Sequence, residues 1–481
     1  MALSSDRLEH LAEVPVRPLD PERFEEVLGA EAYRQFMALR QEGARLLDGR
    51  VLWNVNSTAK GGGVAEMLAS LLSYVAGEGV DARWLVIRGS PEFFRVTKRI
   101  HNVLHGQPGD GGALGDDERR TYEAGLSPNA EELARLVGPD DVVILHDPQT
   151  VGLAPALARA VSAVVWRCHI GIDEPNDLTR MGWEFLRPFL EPADAYVFSR
   201  EAYTWDGLDE GKVATIPPSI DAFSPKNQEM EPAVVRAIVR AAGITEDSPE
   251  ADPAFSRLDG SRSVVNDAAR TSEEIPVVDG APIVAQVCRW DRLKDPLGVL
   301  QGFAGHVAGA VTDAHLVLAG PEVEGVADDP DGAEVFEEVR EVWQDLPEDI
   351  RGRTHLVCLP VEDVEENAAI VNALQRRAAV VVQKSLAEGF GLTVAEAMWK
   401  ARPVVGTRVG GIQDQIVHED SGLLVDDPHD LAEFGECIVG LLNDNERAAQ
   451  MGERAKARVR EEFLAPRHIS QYVELLGKIL S

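Results

Sequence analysis

The sequence predicts an α/β protein made of two domains, each a doubly wound parallel sheet. Three observations predict it: short aliphatic runs recur along the chain, helical patterns separate them, and 481 residues exceed one ordinary hydrophobic core. The aliphatic runs are nearly continuous rather than alternating, which is typical of parallel strands that helices cover on both faces. We therefore expect two Rossmann-like domains that follow each other along the chain.

The predicted strands fall into two groups, one in each half of the chain. In the first half they cover residues 51–55, 83–87, 142–145, 163–167, 195–198 and 213–216. In the second half they cover residues 283–288, 315–319, 355–358, 379–383, 403–406 and 423–425. Between the groups, the stretch IPPSIDAFSPKNQ at 216–228 contains prolines that stiffen a crossing. We therefore predict an N-terminal domain over residues 1–218 and a C-terminal domain over residues 219–459.

Residues 245–280 interrupt the second pattern. They are polar, acidic and short of apolar periodicity, beginning TEDSPEADPAFSRLDGSRS. Such a composition favours an insertion or a flexible arm rather than core.

Composition excludes several classes of partner. The chain has 81 acidic and 47 basic residues, a formal net charge of −34, which repels nucleic acid and anionic membranes. No apolar run approaches the roughly 20 residues of a membrane span, and the N-terminal residues lack a signal-peptide core. The four cysteines are far apart and form no C-x-x-C pair. We expect free thiols in a cytoplasmic protein, and any anionic ligand must find a local basic pocket.

The first candidate site is a glycine triplet, Gly61, Gly62 and Gly63, within NVNSTAKGGGVAEMLASLL. It lies between a predicted strand and a predicted helix that begins near Val64. Backbone amides at a helix N-terminus carry partial positive charge and suit a phosphate. The alternative is a turn that only needs positive φ, and both interpretations stay open.

The second candidate site is QVCRWDRLKDP, which follows the first strand of the second half. Arg289 and Lys294 lie there at the carboxyl end of a parallel strand, the edge where open α/β sheets bind ligands. Guanidinium and ammonium together suit a diphosphate. The alternative is that they only pair with Asp291 and Asp295.

The third candidate site is SLAEGFGLTVAEAMWKARPVVGTRVGG, residues 385–411. Gly389 and Gly391 allow the backbone to approach a ligand closely, and the carboxylates of Glu388 and Glu396 can accept hydrogen bonds from sugar hydroxyls. For Glu396 there is a structural alternative, because Thr393 and Glu396 have the spacing of a capping box.

Two histidines complete the candidates. His146 and His169 each follow a first-half strand, so both lie at the carboxyl edge of the predicted sheet. Either ring can instead be bonded only to backbone. Neither has a second ligand at a spacing typical of zinc, so we expect no metal.

In the third stretch, EGFGLTVAE has the E-x7-E pattern of retaining GT-B glycosyltransferases, and RWDRLK supplies the R-x4-K that accompanies it. Together with WNVNSTAKGGGVAEML, TKRIHNVLHG, LHDPQT, WRCHIG and IPPSIDAFSPKN, the chain resembles the trehalose glycosyltransferring synthases. The resemblance implies a GT-B architecture with two Rossmann-like domains facing a cleft, and a C-terminal helix, within residues 460–481, packed back on the first domain. It implies retaining transfer from ADP-, UDP- or GDP-glucose to glucose, giving trehalose, by a homodimer that needs no cofactor.

The resemblance also implies roles for the matched residues. Arg289 and Lys294 would hold the donor diphosphate, and Glu388 would bind hydroxyls of the donor glucose. Residues expected to contact the donor further are Gly389, Phe390, Gly391 and Leu392 through their amides, Glu396 at the ribose, and Gly62 and Gly63 at the diphosphate. His169 would lie near the reacting sugar, in a catalytic set with Arg289, Lys294 and Glu388. The acceptor pocket would contain His146, Asp147 and Gln149.

The sequence departs from the family pattern at two places. Members often have H-I-D where this chain has His169-Ile170-Gly171, and residues 245–280 are longer than a minimal member needs. Three other functions stay open: a trehalose phosphorylase, a retaining transferase with another small acceptor, and a non-catalytic sensor that binds a nucleotide sugar.

Overall fold

The computed structural model describes residues 8–59, 62–77, 79–248, 250–272, 276–323 and 330–481. It divides into two compact units, Met1–Ser219 with Phe463–Ser481, and Ile220–Glu462. Among the described residues, no helix has both the length and the apolar character of a membrane span. All four cysteines are free.

Unit 1 contains a seven-stranded sheet in the order β1-β3-β2-β4-β5-β6-β7. Its strands are β1 (Leu11–Val14), β2 (Val51–Asn56), β3 (Asp81–Ile87), β4 (Val142–His146), β5 (Ala163–Cys168), β6 (Ala195–Phe198) and β7 (Val213–Thr215). All neighbours are parallel except β1, which pairs antiparallel with β3 at the edge. The aliphatic runs therefore form parallel strands as predicted, and β1 is an additional strand.

Unit 2 repeats the architecture with the order β10-β13-β12-β11-β14-β15-β16, and β8 and β9 form a separate hairpin. The strands are β8 (Ala254–Ser256), β9 (Arg262–Val264), β10 (Arg270–Thr271), β11 (Ile283–Val287), β12 (His315–Pro321), β13 (Thr354–Leu359), β14 (Val380–Gln383), β15 (Val404–Thr407) and β16 (Leu423–Val425). The sheet is parallel apart from β10. The predicted α/β class with two Rossmann-like sheets is thus confirmed.

Helices cover both sheets. In unit 1 they are α1 (Phe24–Leu28), α2 (Ala30–Leu46), α3 (Gly63–Ala76), α4 (Pro91–Leu104), α5 (Asp116–Leu136), α6 (Asp147–Thr150), α7 (Ala154–Leu157) and α8 (Asp177–Leu190). In unit 2 they are α9 (Pro232–Ala241), α10 (Pro296–Gly302), α11 (Pro330–Gln344), α12 (Glu348–Arg351), α13 (Val364–Arg377), α14 (Leu392–Trp399), α15 (Ile412–Gln415), α16 (Leu431–Asn443) and α17 (Asn445–Glu462). Then α18 (Ala465–Ile479) returns to unit 1.

The terminal helix α18 is part of the unit 1 core. Leu476 is buried in the apolar cluster that Leu52, Ile144 and Val165 form on one face of the sheet. At the start of the helix, the buried His468 ring shares a hydrogen bond with Ser219 Oγ at 2.9 Å. Residues distant in sequence therefore complete the layer behind β2, β4 and β5.

The prediction of a flexible arm over residues 245–280 is wrong for the part of it that the structure describes. Thr245 bridges to Val277, β8 and β9 form the hairpin, and β10 extends the sheet beside β13. The few apolar residues of this segment are spaced too irregularly for a periodicity, yet Phe255, Val265 and Val277 are buried.

An ion pair stabilises the start of this segment, which leads to a stability prediction. Arg377 contacts Asp247 at 2.7 Å, and the Asp247 side chain is 0% exposed. Asp247→Asn is expected to reduce the free energy of unfolding by about 3–5 kcal/mol, because it leaves a largely buried guanidinium without its counter-ion. Asp252→Asn removes the exposed Arg262–Asp252 pair and should change the free energy of unfolding by less than about 1 kcal/mol. Equal effects in urea denaturation would contradict the prediction.

Candidate functional site

Two loops of unit 2 meet because their strands are neighbours. Strands β11 and β14 pair in parallel, so their carboxyl ends lie at one edge of the sheet. The loop with Arg289 and Lys294 follows β11, and the glycine-containing loop with Glu388 follows β14. A hydrogen bond from the Leu386 amide to the Leu293 carbonyl, 2.8 Å long, joins the two loops.

This contact brings a cation and an anion together at the sheet edge. Lys294 Nζ lies 2.5 Å from Glu388 Oε2, and Ser385 Oγ donates to the same oxygen at 3.3 Å. The Lys294 and Glu388 side chains are 19% and 9% exposed. The geometry offers a hydrogen-bond donor and an acceptor side by side, largely shielded from solvent.

The other predicted cation is placed differently. Arg289 donates to Asp291 at 2.8 Å, and its side chain is 61% exposed. Arg289 therefore pairs with a neighbouring aspartate, as the alternative interpretation expects, and its role towards a diphosphate stays a prediction. The alternative interpretation is wrong for Lys294, because Asp295 pairs with Lys384 and caps α10 through the Gly298 amide.

The glycine loop is fixed by its carbonyl groups. Gln415 Nε2 donates to the carbonyls of Phe390 at 2.6 Å and of Gly391 at 3.2 Å, and the Gly411 amide donates to Gly389 at 3.1 Å. Gly391 has φ +83°, a conformation that favours glycine. Leu392 begins α14, and amides in the first turn of a helix have no intrahelical acceptor. The loop therefore presents donors near Glu388.

The capping-box alternative for Glu396 is wrong. Helix α14 begins at Leu392 with Gly391 at the N-cap, so Thr393 is already inside the helix. The Glu396 carboxylate is buried, with Lys226 Nζ 3.8 Å away. Lys400 donates to the Glu396 carbonyl at 2.9 Å, and burial holds the pKa of Lys400 well below its ordinary value. Glu396 therefore offers a buried carboxylate close to the ammonium of Lys226.

In unit 1 the two predicted histidines touch each other. Strands β4 and β5 are parallel neighbours, and His146 Nδ1 lies 3.2 Å from His169 Nε2. Asp147, with φ +62°, accepts a hydrogen bond from the His169 amide at 2.7 Å. The other nitrogen of His146, Nε2, lies 3.0 Å from Asn54 Oδ1. Both ring nitrogens of His146 are thus engaged within the protein, which leaves none for direct contact with a ligand.

Burial determines the charge of this group. It lowers the pKa of His146 to about 3 and that of His169 well below its ordinary value, and the Arg167 charge acts in the same direction. Burial raises the pKa of Asp147 to about 7. Both imidazoles are therefore neutral at neutral pH.

Three other predicted residues of unit 1 are Gln149, Gly62 and Gly63. Gln149 follows in α6, and its Oε1 is buried with no hydrogen-bond partner among the described residues. Gly62 caps α3 with φ +85°, and Gly63 is the first helical residue. That φ agrees with the turn interpretation and leaves the phosphate interpretation open. Gly61 lies outside the described residues.

Sequence reasoning missed three polar groups of unit 1. Asn54 lies within a buried strand, Arg167 is fully buried and donates to the Phe198 carbonyl at 3.2 Å, and His468 is buried on α18. The available signal was the same for the first two, since each is a polar residue inside an aliphatic run that reads as a central strand.

Comparison with known proteins shows the family and the fold of the chain. The family model of the trehalose synthase N-terminal domain matches residues 54–205, and that of group 1 glycosyl transferases matches residues 267–458. Trehalose synthases of Thermococcus litoralis and Rubrobacter xylanophilus are each 35% identical, over 95% and 92% of this chain and 96% and 93% of theirs. The structure of a UDP-forming α,α-trehalose-phosphate synthase from Burkholderia vietnamiensis matches with a TM-score of 0.64 and 18% identity, covering 89% of this chain and 98% of that one. The fold is that of the GT-B glycosyltransferases.

Proposed function

Since the chain belongs to the trehalose synthase family, we propose that it is a retaining glucosyltransferase that makes trehalose from a nucleoside-diphosphate glucose and glucose. The reaction needs no cofactor or metal ion, and the enzyme acts as a cytoplasmic homodimer. The observation that carries the proposal is the contact between Lys294 and Glu388, because a sugar diphosphate requires a cation and a hydroxyl acceptor side by side.

The donor is held by unit 2. Lys294 and Arg289 neutralise the diphosphate, and the amides of Gly391 and Leu392 add partial positive charge at the start of α14. Glu388 accepts hydrogen bonds from hydroxyls of the donor glucose. The Glu396 carboxylate, buried on α14, accepts them from the ribose. Every one of these groups binds an oxygen that the donor presents.

The acceptor is held by unit 1. Gln149 Oε1, which has no partner among the described residues, accepts a hydrogen bond from a glucose hydroxyl. Asp147 and His169 follow neighbouring strands at the edge of the sheet, and the ring nitrogen of His169 that does not contact His146, Nδ1, faces the reacting sugars. His146 contributes indirectly, because both of its nitrogens are engaged.

Transfer proceeds on one face of the donor sugar. The bond from the anomeric carbon to the diphosphate oxygen breaks, and the acceptor hydroxyl forms a bond to that carbon from the same face. The departing phosphate accepts the proton of that hydroxyl. A covalent route would need a carboxylate against the opposite face, and Glu388 is instead paired with Lys294. The role of the protein is to stabilise charge on the leaving group.

The proposal is tested by incubating the purified protein with glucose and, in turn, ADP-, UDP- and GDP-glucose. Trehalose and the matching nucleoside diphosphate should appear in equal amounts, in the presence of a chelator as well as without it. The reverse reaction, trehalose with a nucleoside diphosphate, should return the nucleotide sugar. Cleavage of trehalose by inorganic phosphate alone would identify a phosphorylase instead, and donor binding without product would identify a sensor.

The donor loop gives a prediction that depends on shape alone. A Cβ added at Gly411 would lie 2.6 Å from the Phe390 Cα, so Gly411→Ala must displace the loop that carries Glu388. Such overpacking typically introduces about 1–3 kcal/mol of strain. Because the displaced loop no longer places Glu388 correctly, we expect kcat/KM for the donor to fall about tenfold or more. Gly440→Ala, a helical site with nothing within 4 Å, is the control. Unchanged donor kinetics in Gly411→Ala would contradict this.

A further inference from the structure

Asn54, His146 and His169 form one line of hydrogen bonds in unit 1. Asn54 Oδ1 lies 3.0 Å from His146 Nε2, and His146 Nδ1 lies 3.2 Å from His169 Nε2. Asn54 and His146 are 3% and 2% exposed. Asn54 is therefore isolated from solvent and connected through His146 to the more accessible ring of His169.

The protons in this line are not independent. Both imidazoles are neutral, because burial lowers the pKa of each, and a neutral imidazole has one donor and one acceptor nitrogen. If the Asn54 oxygen accepts, His146 carries its proton on Nε2 and accepts at Nδ1. His169 must then carry its proton on Nε2, which leaves its Nδ1 as a bare acceptor.

The opposite arrangement requires the Asn54 amide to be turned over. Nδ2 would then donate to His146 Nε2, both rings would exchange donor and acceptor, and His169 Nδ1 would carry a proton. The amide of Asn54 therefore selects what His169 presents to a substrate, although Asn54 itself does not reach that position.

In the structure the Asn54 oxygen faces His146 Nε2, which corresponds to the first arrangement. The Asn54 Nδ2 is buried with no acceptor among the described residues, and Asn54 lines a mostly apolar cavity of about 80 Å³ beside Leu68, Leu72 and Tyr472. This volume exceeds the roughly 10–15 Å³ that one water molecule needs. A water that accepts from Nδ2 also needs a polar partner in the lining, which Tyr472 can supply, so the oxygen of Asn54 can face His146 without an orphaned amine.

We propose that Asn54 is a positioning residue which, through His146, fixes His169 Nδ1 as a hydrogen-bond acceptor for a sugar hydroxyl. The identity of the hydroxyl donor as a sugar rests on the proposed function, whereas the assignment of the tautomers does not. A sugar hydroxyl donating to Nδ1 leaves its own oxygen free to accept a second bond. Asn54 thereby determines the polarity of the site without touching the substrate.

The test is the two-bond 1H–15N spectrum of the full-length protein labelled with 15N-histidine, which separates the Nδ1–H and Nε2–H tautomers. The His169 signals are assigned as those lost in His169→Gln. We expect the Nε2–H tautomer at both His146 and His169 in the native protein. A native His169 that carries its proton on Nδ1 would overturn the proposal, whether or not the protein makes trehalose.

A variant extends the test to activity. Asn54→Leu removes the acceptor, so His169 should lose its exclusive Nε2–H form and kcat should fall about tenfold, the size of one hydrogen bond. Met67→Leu, on the wall of the same cavity, should leave tautomers and kcat unchanged. If Asn54→Leu keeps the native His169 tautomer, the proposal fails; if it does not fold, the native spectrum alone decides. Absence of trehalose in the native protein would remove the proposed function but not the tautomer result.

Discussion

Lys294→Ala is expected to lower kcat/KM for transfer from the nucleoside-diphosphate glucose about 10- to 100-fold. A charge-assisted hydrogen bond contributes about 1.5–3 kcal/mol, and each 1.4 kcal/mol is about tenfold in rate. The substitution removes the cation for the diphosphate and also leaves the Glu388 carboxylate, 9% exposed, without its partner at 2.5 Å. Steady-state kinetics with each nucleotide sugar measure the effect.

The same loop offers a matched control. Arg292 lies two residues before Lys294, pairs with Glu338 and is 58% exposed, so Arg292→Ala removes the same charge from the same loop. We expect its kcat/KM to stay within about twofold of the native value, since exposed ion pairs contribute about 0–1 kcal/mol. An equal fall in both variants would mean that the loop acts through its net charge, and the specific role of Lys294 would be wrong.

Acidification is expected to destabilise unit 1 between about pH 6.5 and about pH 5. Burial holds the pKa of His146 near 3 and lowers the pKa of His169 and His468 well below the ordinary value. The unfolded chain therefore binds more protons than the native protein below about pH 6.5. Each buried histidine then reduces the free energy of unfolding by about 1.4 kcal/mol per pH unit, until its folded pKa is reached.

One neighbouring group works in the opposite direction. Burial raises the pKa of Asp147 to about 7, so the native protein binds a proton there while the unfolded chain, with a pKa near 3.9, does not. Stability from this group increases as the pH falls from about 7 towards about 4, which offsets one of the three histidines.

The expected loss is measured by hydrogen exchange of peptides that cover β4 and β5, converted to a free energy of opening at each pH. The free energy of opening should change with pH less steeply in His146→Gln, by about 1.4 kcal/mol per pH unit, which is the contribution of one histidine. His429→Gln replaces an exposed histidine and should leave the slope unchanged. A native slope that is flat between about pH 6.5 and about pH 5 would show that these histidines are not held neutral.

The strands that could be predicted are those with enough buried side chains to leave a run. Every aliphatic run forms a parallel strand, because a strand covered on both faces needs apolar residues at consecutive positions. Edge strands β1 and β10 and the β8–β9 hairpin were missed. They are short, and burial at only some positions, as in Leu11 of β1 or Phe255 of β8, leaves no pattern in a polar sequence.

The sequence identified candidate residues for the site but not the contacts between them. Lys294 and Glu388 were both identified, yet their pairing depends on β11 and β14 being neighbours, which sequence order does not state. His146 was identified as a ligand residue, whereas its two nitrogens are engaged by His169 and Asn54. A one-dimensional pattern locates a residue at a sheet edge, but the direction of its hydrogen bonds depends on the neighbouring strands.

The return of α18 to unit 1 has a consequence for the order of folding. A chain made from its N-terminus exposes β2, β4 and β5 to solvent while residues 220–462 are still being synthesised, since Leu476 and His468 cover them from α18. We therefore expect the nascent first half to depend on chaperones. We also expect a peptide with the sequence of α18, added separately, to bind a protein truncated after Glu462 and to restore the folded unit 1.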